Sequence, residues 1–135
     1  MSFHMDTVEA FFEAYGKALA SGDASEIAVC YGTPAMVLLG SGAASAVLDR
    51  SDLIEAFAGL AESYRLAHLH QAVPAVTAVE RLGPGLVSVD VEWSSLDLEG
   101  TPTGHHEAYR YLVRQEGDRH CIQVVIAKDA GHEDD

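Results

Sequence analysis

The stretch LVSVDVEWSSLDL, residues 86–98, decides the fold, because apolar and polar residues alternate in it for longer than anywhere else in the chain. This alternation predicts one long strand with a buried face, since successive side chains of a strand point to opposite sides. The buried face carries Val87, Val89, Val91 and Trp93. After the tryptophan the apolar positions move from odd to even numbers, which predicts a β-bulge at Ser94–Ser95. A bulge bends a sheet, so we expect a concave surface with room for a pocket.

Length and composition predict one globular domain. The chain has 135 residues, of which 48% are hydrophobic and 21% are charged, as in ordinary globular domains. We expect a single domain over residues 1–130, followed by an acidic, disordered tail at residues 131–135. Cys30 and Cys121 lie in apolar surroundings, and we expect both to be reduced thiols of the core.

Charge and hydropathy argue against two classes of partner. The formal net charge of -13 would repel a phosphate backbone, so nucleic acid is not an expected partner. No apolar run approaches the roughly 20 residues of a spanning helix, so a membrane is not expected either. The first twelve residues lack the pattern of a secretion signal, and the predicted compartment is the cytoplasm.

The first part of the chain predicts helices. Asp6 resembles the first residue of a capping box, and it opens a helix that Gly22 ends. The apolar stripe of this helix consists of Val8, Phe11, Phe12, Tyr15 and Leu19. Asp23 repeats the capping pattern and predicts a short second helix that runs to Gly32.

A strand, a loop and a third helix follow. Pro34 disfavours helical conformation in the residue before it, so residues 35–39 are predicted to form a short buried strand. Residues 40–47 are predicted to be a loop. Ser51 then caps a third helix over residues 52–64, whose apolar positions keep the helical period.

The second part of the chain predicts strands. Residues 66–80 form an extended segment, and Pro74 within it indicates an edge strand or a bend. After residues 86–98, two further strands at residues 105–114 and 119–128 complete an antiparallel meander. Helices followed by a meandering sheet predict an α+β domain.

The order and spacing of these elements resemble the nuclear transport factor 2-like (NTF2-like) superfamily, in its SnoaL-like and ketosteroid isomerase-like branch. The resemblance rests on FFEAYGKALASGD at 11–23, TPA at 33–35, DRSDLIEAF at 49–57 and YRYLVRQEGDRH at 109–120. It implies an α+β cone, with N-terminal helices packed in the concave face of a curved, bulged antiparallel sheet. It also implies a homodimer through the sheet face and a small apolar or amphipathic ligand.

The resemblance implies two residues that bind an oxyanion. Tyr15 stands seven residues before Gly22, as the oxyanion-binding tyrosine of the isomerases does, and its hydroxyl would donate a hydrogen bond. Glu107 aligns with their protonated carboxylic acid, whose neutral form an apolar surrounding favours. The alternatives are structural: Tyr15 as one more core aromatic, and Glu107 as a carboxylate in a buried polar network with Tyr15, Tyr109 or a histidine.

The proton-transferring base of the isomerases has no match, since Leu39 stands at the position of their aspartate. His70 is our candidate substitute, because a neutral imidazole has a suitable pKa for a general base. It shares a strand face with His68, and the two histidines with His105 or Glu107 form a weak alternative metal site. We predict neither a metal nor a cofactor.

Two functions remain open. The first is an isomerase, dehydratase or cyclase that acts on a partly apolar carbonyl compound through oxyanion stabilisation. The second is a non-catalytic module that binds a ligand or dimerises. In both, the predicted ligand contacts are Tyr31, Leu39, Phe57, Trp93, Tyr109 and Gln123. Trp93 has two further interpretations, as a residue of the core or of the dimer interface.

Overall fold

The computed structural model describes residues 5–66 and 71–128, in which three helices precede most of a six-stranded sheet. The helices are α1 (Met5–Ser21), α2 (Ala24–Val29) and α3 (Arg50–Leu66). The strands are β1 (Tyr31–Leu39), β2 (Ala44–Val47), β3 (Gln71–Gly83), β4 (Leu86–Leu96), β5 (Pro102–Glu116) and β6 (Arg119–Lys128). The predicted acidic tail at 131–135 lies outside the described residues.

The sheet has the strand order β2-β1-β6-β5-β4-β3. Strands β4, β5 and β6 form the predicted antiparallel meander, and β3 extends it. Of the two alternatives that Pro74 indicated, an edge strand or a bend, β3 is an edge strand. The sheet as a whole is mixed, because β1 runs parallel to β6 while β2 pairs with β1 in the antiparallel sense. The predicted α+β architecture is confirmed. Among the described residues, no helix has the length and apolar character needed to cross a membrane.

The core lies between the helices and the inner face of the meander. The fully buried large side chains come from both layers: Phe12, Ile27, Val87, Val89, Val91, Cys121 and Ile122. The predicted buried face of the long strand is therefore confirmed, as is the apolar stripe of α1. Cys30 and Cys121 are both free thiols, the first half-buried and the second completely buried.

Helix caps differ from prediction at two of three positions. Asp23 is the N-cap of α2 as predicted, and its Oδ1 accepts from the backbone N–H of Ser25 at 2.9 Å. Asp6 lies within α1 and is not its cap. Asp49, not Ser51, caps α3, since its Oδ1 accepts from the backbone N–H of Asp52 at 2.9 Å. A carboxylate accepts this bond at least as well as a hydroxyl, so the earlier residue takes the position.

Two segments form strands where the sequence predicted other structure. The second helix ends at Val29 instead of Gly32, and β1 begins at Tyr31, which pairs with Ile122 of β6. Residues 44–47, predicted to be part of a loop, form β2 because β1 offers them a pairing partner. Their alanine- and serine-rich sequence has little strand propensity of its own, so tertiary pairing decides the structure.

The predicted bulge lies in the neighbouring strand. The register of β4 with β3 is unbroken from Val91 to Leu96, and the inward alternation continues to Ser95, which is 5% exposed. The irregularity is between β4 and β5, where Ser95 faces residues 103–105. Gly104 of this segment has a φ of 84°, a conformation that glycine adopts without strain. The extra residues therefore lie in β5, opposite the position in β4 where the bulge was predicted.

Candidate functional site

A cavity of about 190 Å³ opens between the helices and the inner face of the sheet. It lies at the end of the meander where Trp93 replaces the valines of β4. Its lining is apolar and aromatic: Tyr15, Leu19, Tyr31, Val37, Leu39, Phe57, Trp93, Tyr109, Tyr111, Val125 and Ala127. A small apolar recess with a few polar atoms is the usual form of a small-molecule site.

Two buried phenol hydroxyls meet at the cavity. The Oη atoms of Tyr15 and Tyr31 are 2.6 Å apart, and the two residues are only 3% and 5% exposed. Tyr15 comes from α1 and Tyr31 from the first residue of β1, so the helical corner brings them together. The ring of Tyr15 packs edge-on against Trp93 at a centroid distance of 5.8 Å, which fixes its orientation.

Tyr15 is a hydrogen-bond donor and not a base at neutral pH. Burial raises the pKa of its phenol well above the usual 10.0, and the neighbouring Tyr31 and Tyr111 raise it further. A phenol in this state keeps its proton. It therefore has the chemical character that stabilisation of a negative oxygen requires.

A second hydrogen bond holds the wall of the cavity. The indole Nε1 of Trp93 donates to Tyr111 Oη at 2.8 Å, and both side chains are buried. The bond joins β4 to β5 and satisfies an indole N–H that would otherwise be buried without a partner. Trp93 thus lines the cavity and is also part of the core, so two of its predicted roles coincide.

Glu107 lies beside the cavity on the inner face of the sheet, opposite Trp93 of β4. Tyr109 Oη donates to Glu107 Oε1 at 2.6 Å, along the same strand. Glu107 is half-buried and is not among the residues that line the cavity, whereas Tyr109 is. The two predicted oxyanion-binding groups are therefore not equivalent in the structure. Tyr15 faces the cavity directly, and Glu107 is connected to it through a phenol.

The predicted ligand contacts are found at the cavity with one exception. Tyr31, Leu39, Phe57, Trp93 and Tyr109 line it. Gln123 does not, because it is the extra residue where the register of β6 with β5 shifts. Its side chain instead accepts from Arg114 Nε at 2.9 Å and donates to the backbone oxygen of Pro34. Its predicted role in ligand binding stays a prediction.

The predicted base is not placed by the structure. His68 and His70 lie outside the described residues, and the side chain of His105 is likewise not described. Leu39 lines the cavity at the position where the isomerases carry their aspartate. Within the described residues, no three His, Cys, Asp or Glu side chains come close enough together to hold a metal ion.

Five residues that line the cavity were not predicted as ligand contacts, although the sequence pattern indicated that some of them face inward. They are Leu19, Val37, Tyr111, Val125 and Ala127. Leu19 belongs to the predicted stripe of α1, and Tyr111 to the inward face of β5. Val125 and Ala127 alternate on β6. Counting in twos from the buried Ile122 would turn them outward, but the extra residue Gln123 shifts the register and turns them inward.

Solved structures similar to this chain share its fold at low sequence identity. An NTF2-like protein of unknown function from Shewanella oneidensis MR-1 is 18% identical over 92% of this chain and 98% of that one, with a TM-score of 0.69. A candidate scytalone dehydratase from Novosphingobium aromaticivorans is 10% identical over 96% and 95% of the chains, with a TM-score of 0.67. A ketosteroid isomerase-like protein from Erwinia carotovora atroseptica is 14% identical over 96% and 100%, with a TM-score of 0.63.

Comparison by sequence gives the family. No curated protein matches the chain. A family model described as "NTF2-like protein (DUF6841)" matches residues 6–130, which is nearly the whole chain. The resemblance in the order of helices and strands is thereby confirmed, and the chain belongs to this NTF2-like family.

Proposed function

We propose that the cavity binds a small, largely apolar molecule that carries a carbonyl or phenolic oxygen. The observation that carries this proposal is the hydroxyl pair of Tyr15 and Tyr31, joined at 2.6 Å inside an apolar recess. In such a pair one hydroxyl donates to the other. When Tyr31 donates, the proton of Tyr15 remains for an acceptor oxygen of the ligand.

The surroundings of the pair support this choice of ligand. Among the described residues, the lining offers aromatic rings and aliphatic side chains and no acidic or basic side chain. A charged ligand would lose its hydration there without an opposite charge to replace it, which is costly. A neutral ring system with one oxygen would lose little hydration and would gain a hydrogen bond from a buried donor.

The test compares 2-naphthol with naphthalene as probes of the cavity. We expect the wild type to bind 2-naphthol about tenfold more tightly, because only that probe has an oxygen for Tyr15. Tyr15→Phe should bind both probes about equally and should keep its affinity for naphthalene. The naphthalene titration is the matched control, since it reports on the shape of the cavity alone. A preference for 2-naphthol that survives in Tyr15→Phe would contradict the proposal.

Catalysis of isomerisation, dehydration or cyclisation is the second candidate function. The raised pKa of Tyr15 favours it, because a phenol that keeps its proton can stabilise an oxyanion as it develops. Two proteins of similar fold, the candidate scytalone dehydratase and the ketosteroid isomerase-like protein, carry enzyme names. Leu39 cannot transfer a proton, so in this proposal His70 is the base.

The enzymatic proposal has its own test. Tyr15→Phe and Glu107→Gln should each slow turnover of a carbonyl compound that the cavity binds, while the circular dichroism spectrum stays unchanged. His70→Gln should remove the pH dependence that a histidine base imposes on the rate. Unchanged turnover in both oxyanion variants would show that the assignment is wrong. Binding without turnover would leave the non-catalytic ligand-binding module.

We also propose that a second copy of the chain covers the outer face of the sheet. Because Val37, Val125 and Tyr111 face the cavity, their neighbours Met36, Val124 and Leu112 point outward. The register places these three in one row across β1, β6 and β5. With a net charge of -13, most of the surface repels another copy, and this apolar row does not. Val124→Glu should give a monomer by sedimentation, and a monomeric wild type would contradict the proposal.

A further inference from the structure

Three of the eight basic side chains of this acidic protein lie around one pocket. The chain has only 8 lysines and arginines against 21 acidic residues. Arg50, Arg114 and Arg119 line a single pocket of about 240 Å³, which lies between the start of α3, the start of β1 and the turn from β5 to β6. Of the described residues that line it, Glu116 alone is acidic. The pocket therefore carries a surplus of positive charge within a strongly negative molecule.

Two of the three guanidinium groups are held in position by the protein. Arg119 Nη2 donates to the backbone oxygen of Val29 at 2.7 Å, which anchors it to the end of α2. Arg114 Nε donates to Gln123 Oε1 at 2.9 Å, which ties it to β6. A guanidinium has five N–H donors in a fixed plane, so each group keeps donors for another partner. Positions fixed in advance lower the entropy that a ligand must remove on binding.

The carboxylate of Glu116 marks where an oxyanion would sit. Its Oε2 accepts from Arg114 Nη2 at 3.2 Å, and its Oε1 lies 3.8 Å from Arg119 Nη1. The Glu116 side chain is 54% exposed. Exposed ion pairs of this kind contribute little to stability. An incoming oxyanion can therefore replace Glu116 between the two guanidinium groups with little loss to the fold.

Arg50 adds a third positive charge to the pocket. It is the first residue of α3, it is exposed, and it forms no ion pair with any described side chain. Its guanidinium lines the same pocket as the other two. Three positive groups around one recess, with one displaceable carboxylate, are the arrangement that proteins use to recognise phosphate and carboxylate groups.

We infer that this arginine pocket binds the oxyanion of a small molecule, either a phosphate or a carboxylate. The site is separate from the aromatic cavity and does not depend on the function proposed for it. Tyr31 stands between the two, since it lines both. Its backbone oxygen lies 3.5 Å from Arg119 Nη2, and its hydroxyl is the one bonded to Tyr15.

Isothermal titration with inorganic phosphate and with succinate, at constant ionic strength, tests the inference. We expect saturable binding at one site. Arg50→Gln and Arg114→Gln should each weaken it about tenfold, because each removes a charge-assisted hydrogen-bond donor. The tighter of the two probes identifies the class of oxyanion. Arg81→Gln is the matched control: it removes the same charge from β3, where Arg81 bonds the oxygen of Gly83, and it should leave the affinity unchanged.

Glu116→Gln gives a result in the opposite direction. It removes the competing negative charge and frees the donors of Arg114 and Arg119, so the affinity should rise about threefold to tenfold. A poorly folded variant would not bind more tightly, so misfolding cannot imitate this gain. The inference is wrong if neither probe binds saturably. It is equally wrong if Arg50→Gln and Arg81→Gln weaken binding to the same extent, or if Glu116→Gln does not strengthen it.

Discussion

The two ends of the same inner sheet face differ in chemistry. At one end Val87, Val113 and Ile122 pack against the helices with no more than 2% exposure. At the other end the same strands carry Trp93 and Tyr109, and a cavity remains. Both ends follow one alternation of residues, and at the open end the inner face also carries Glu107, which stands opposite Trp93. What differs is side-chain size and the presence of a polar atom at the tip.

The difference shows how an NTF2-like cone separates stability from binding. Small β-branched side chains fill the closed end without gaps, and they have no polar atom that needs a partner. The aromatic residues of the open end reach further, bond to one another through Tyr15–Tyr31 and Trp93–Tyr111, and leave space between their rings. We therefore expect the closed end to contribute more to stability than the open end, which keeps a cavity.

The largest expected effect compares two phenylalanines, one fully buried in the core and one that lines the cavity. Phe12 is fully buried, and Phe12→Ala should lower the free energy of unfolding by about 3–5 kcal/mol through lost burial and a new cavity. Phe57 is half-buried against Tyr31 beside an existing void. Phe57→Ala should therefore cost less than about half as much. Urea denaturation measures both values, and equal losses would end the distinction between the two regions.

A filled cavity should have an intermediate effect. Ala127 lines the cavity, so Ala127→Leu places three more carbon atoms in empty space. We expect the affinity for naphthalene to fall by more than about tenfold, with a change in unfolding free energy below about 1 kcal/mol. Val113→Phe at the closed end is the matched change, and overpacking there should destabilise by about 1–3 kcal/mol. Retained naphthalene binding in Ala127→Leu would place the ligand elsewhere.

The smallest expected effect concerns the two thiols. Burial raises the pKa of Cys30 from 9.0 to about 11, although Arg119 acts in the opposite direction. Only the thiolate reacts with iodoacetamide, so alkylation of Cys30 should be slow at neutral pH and should accelerate as pH rises towards that value. Cys121 is fully buried at the closed end and should react only after unfolding. Mass spectrometry of the labelled peptides distinguishes the two thiols. Fast labelling of Cys121 in the native protein would contradict its assignment to the closed end.

The sequence was most informative where the cause of the structure is local, although two of the three helix caps, at Asp6 and Ser51, differ from the prediction. The alternation of β4 placed Val87 and Trp93 on the buried face, and the side chain of Asp23 identified the start of α2. These outcomes depend on neighbours a few residues away, which the sequence displays directly.

The sequence was less informative where the cause is distant along the chain. Tyr31 was predicted to be helical, yet it starts β1 because Ile122 offers it a partner some ninety residues later. Gln123 was predicted to be a ligand contact but does not line the cavity, because it is the extra residue at a register shift between β5 and β6. Such a shift depends on how two strands fit together. For the same reason the contact between the hydroxyls of Tyr15 and Tyr31 cannot be predicted from periodicity, although each residue was a candidate by itself.

Tyr31 separates the aromatic cavity, which suits apolar molecules, from the arginine pocket, which suits anions. If a ligand in one of the two sites shifts the ring of Tyr31, the shape of the other site changes too. Thermodynamic reciprocity then requires that each guest alter the affinity of the other by the same factor. An anion bound in the arginine pocket would then change the affinity of the aromatic cavity for its ligand without entering that cavity.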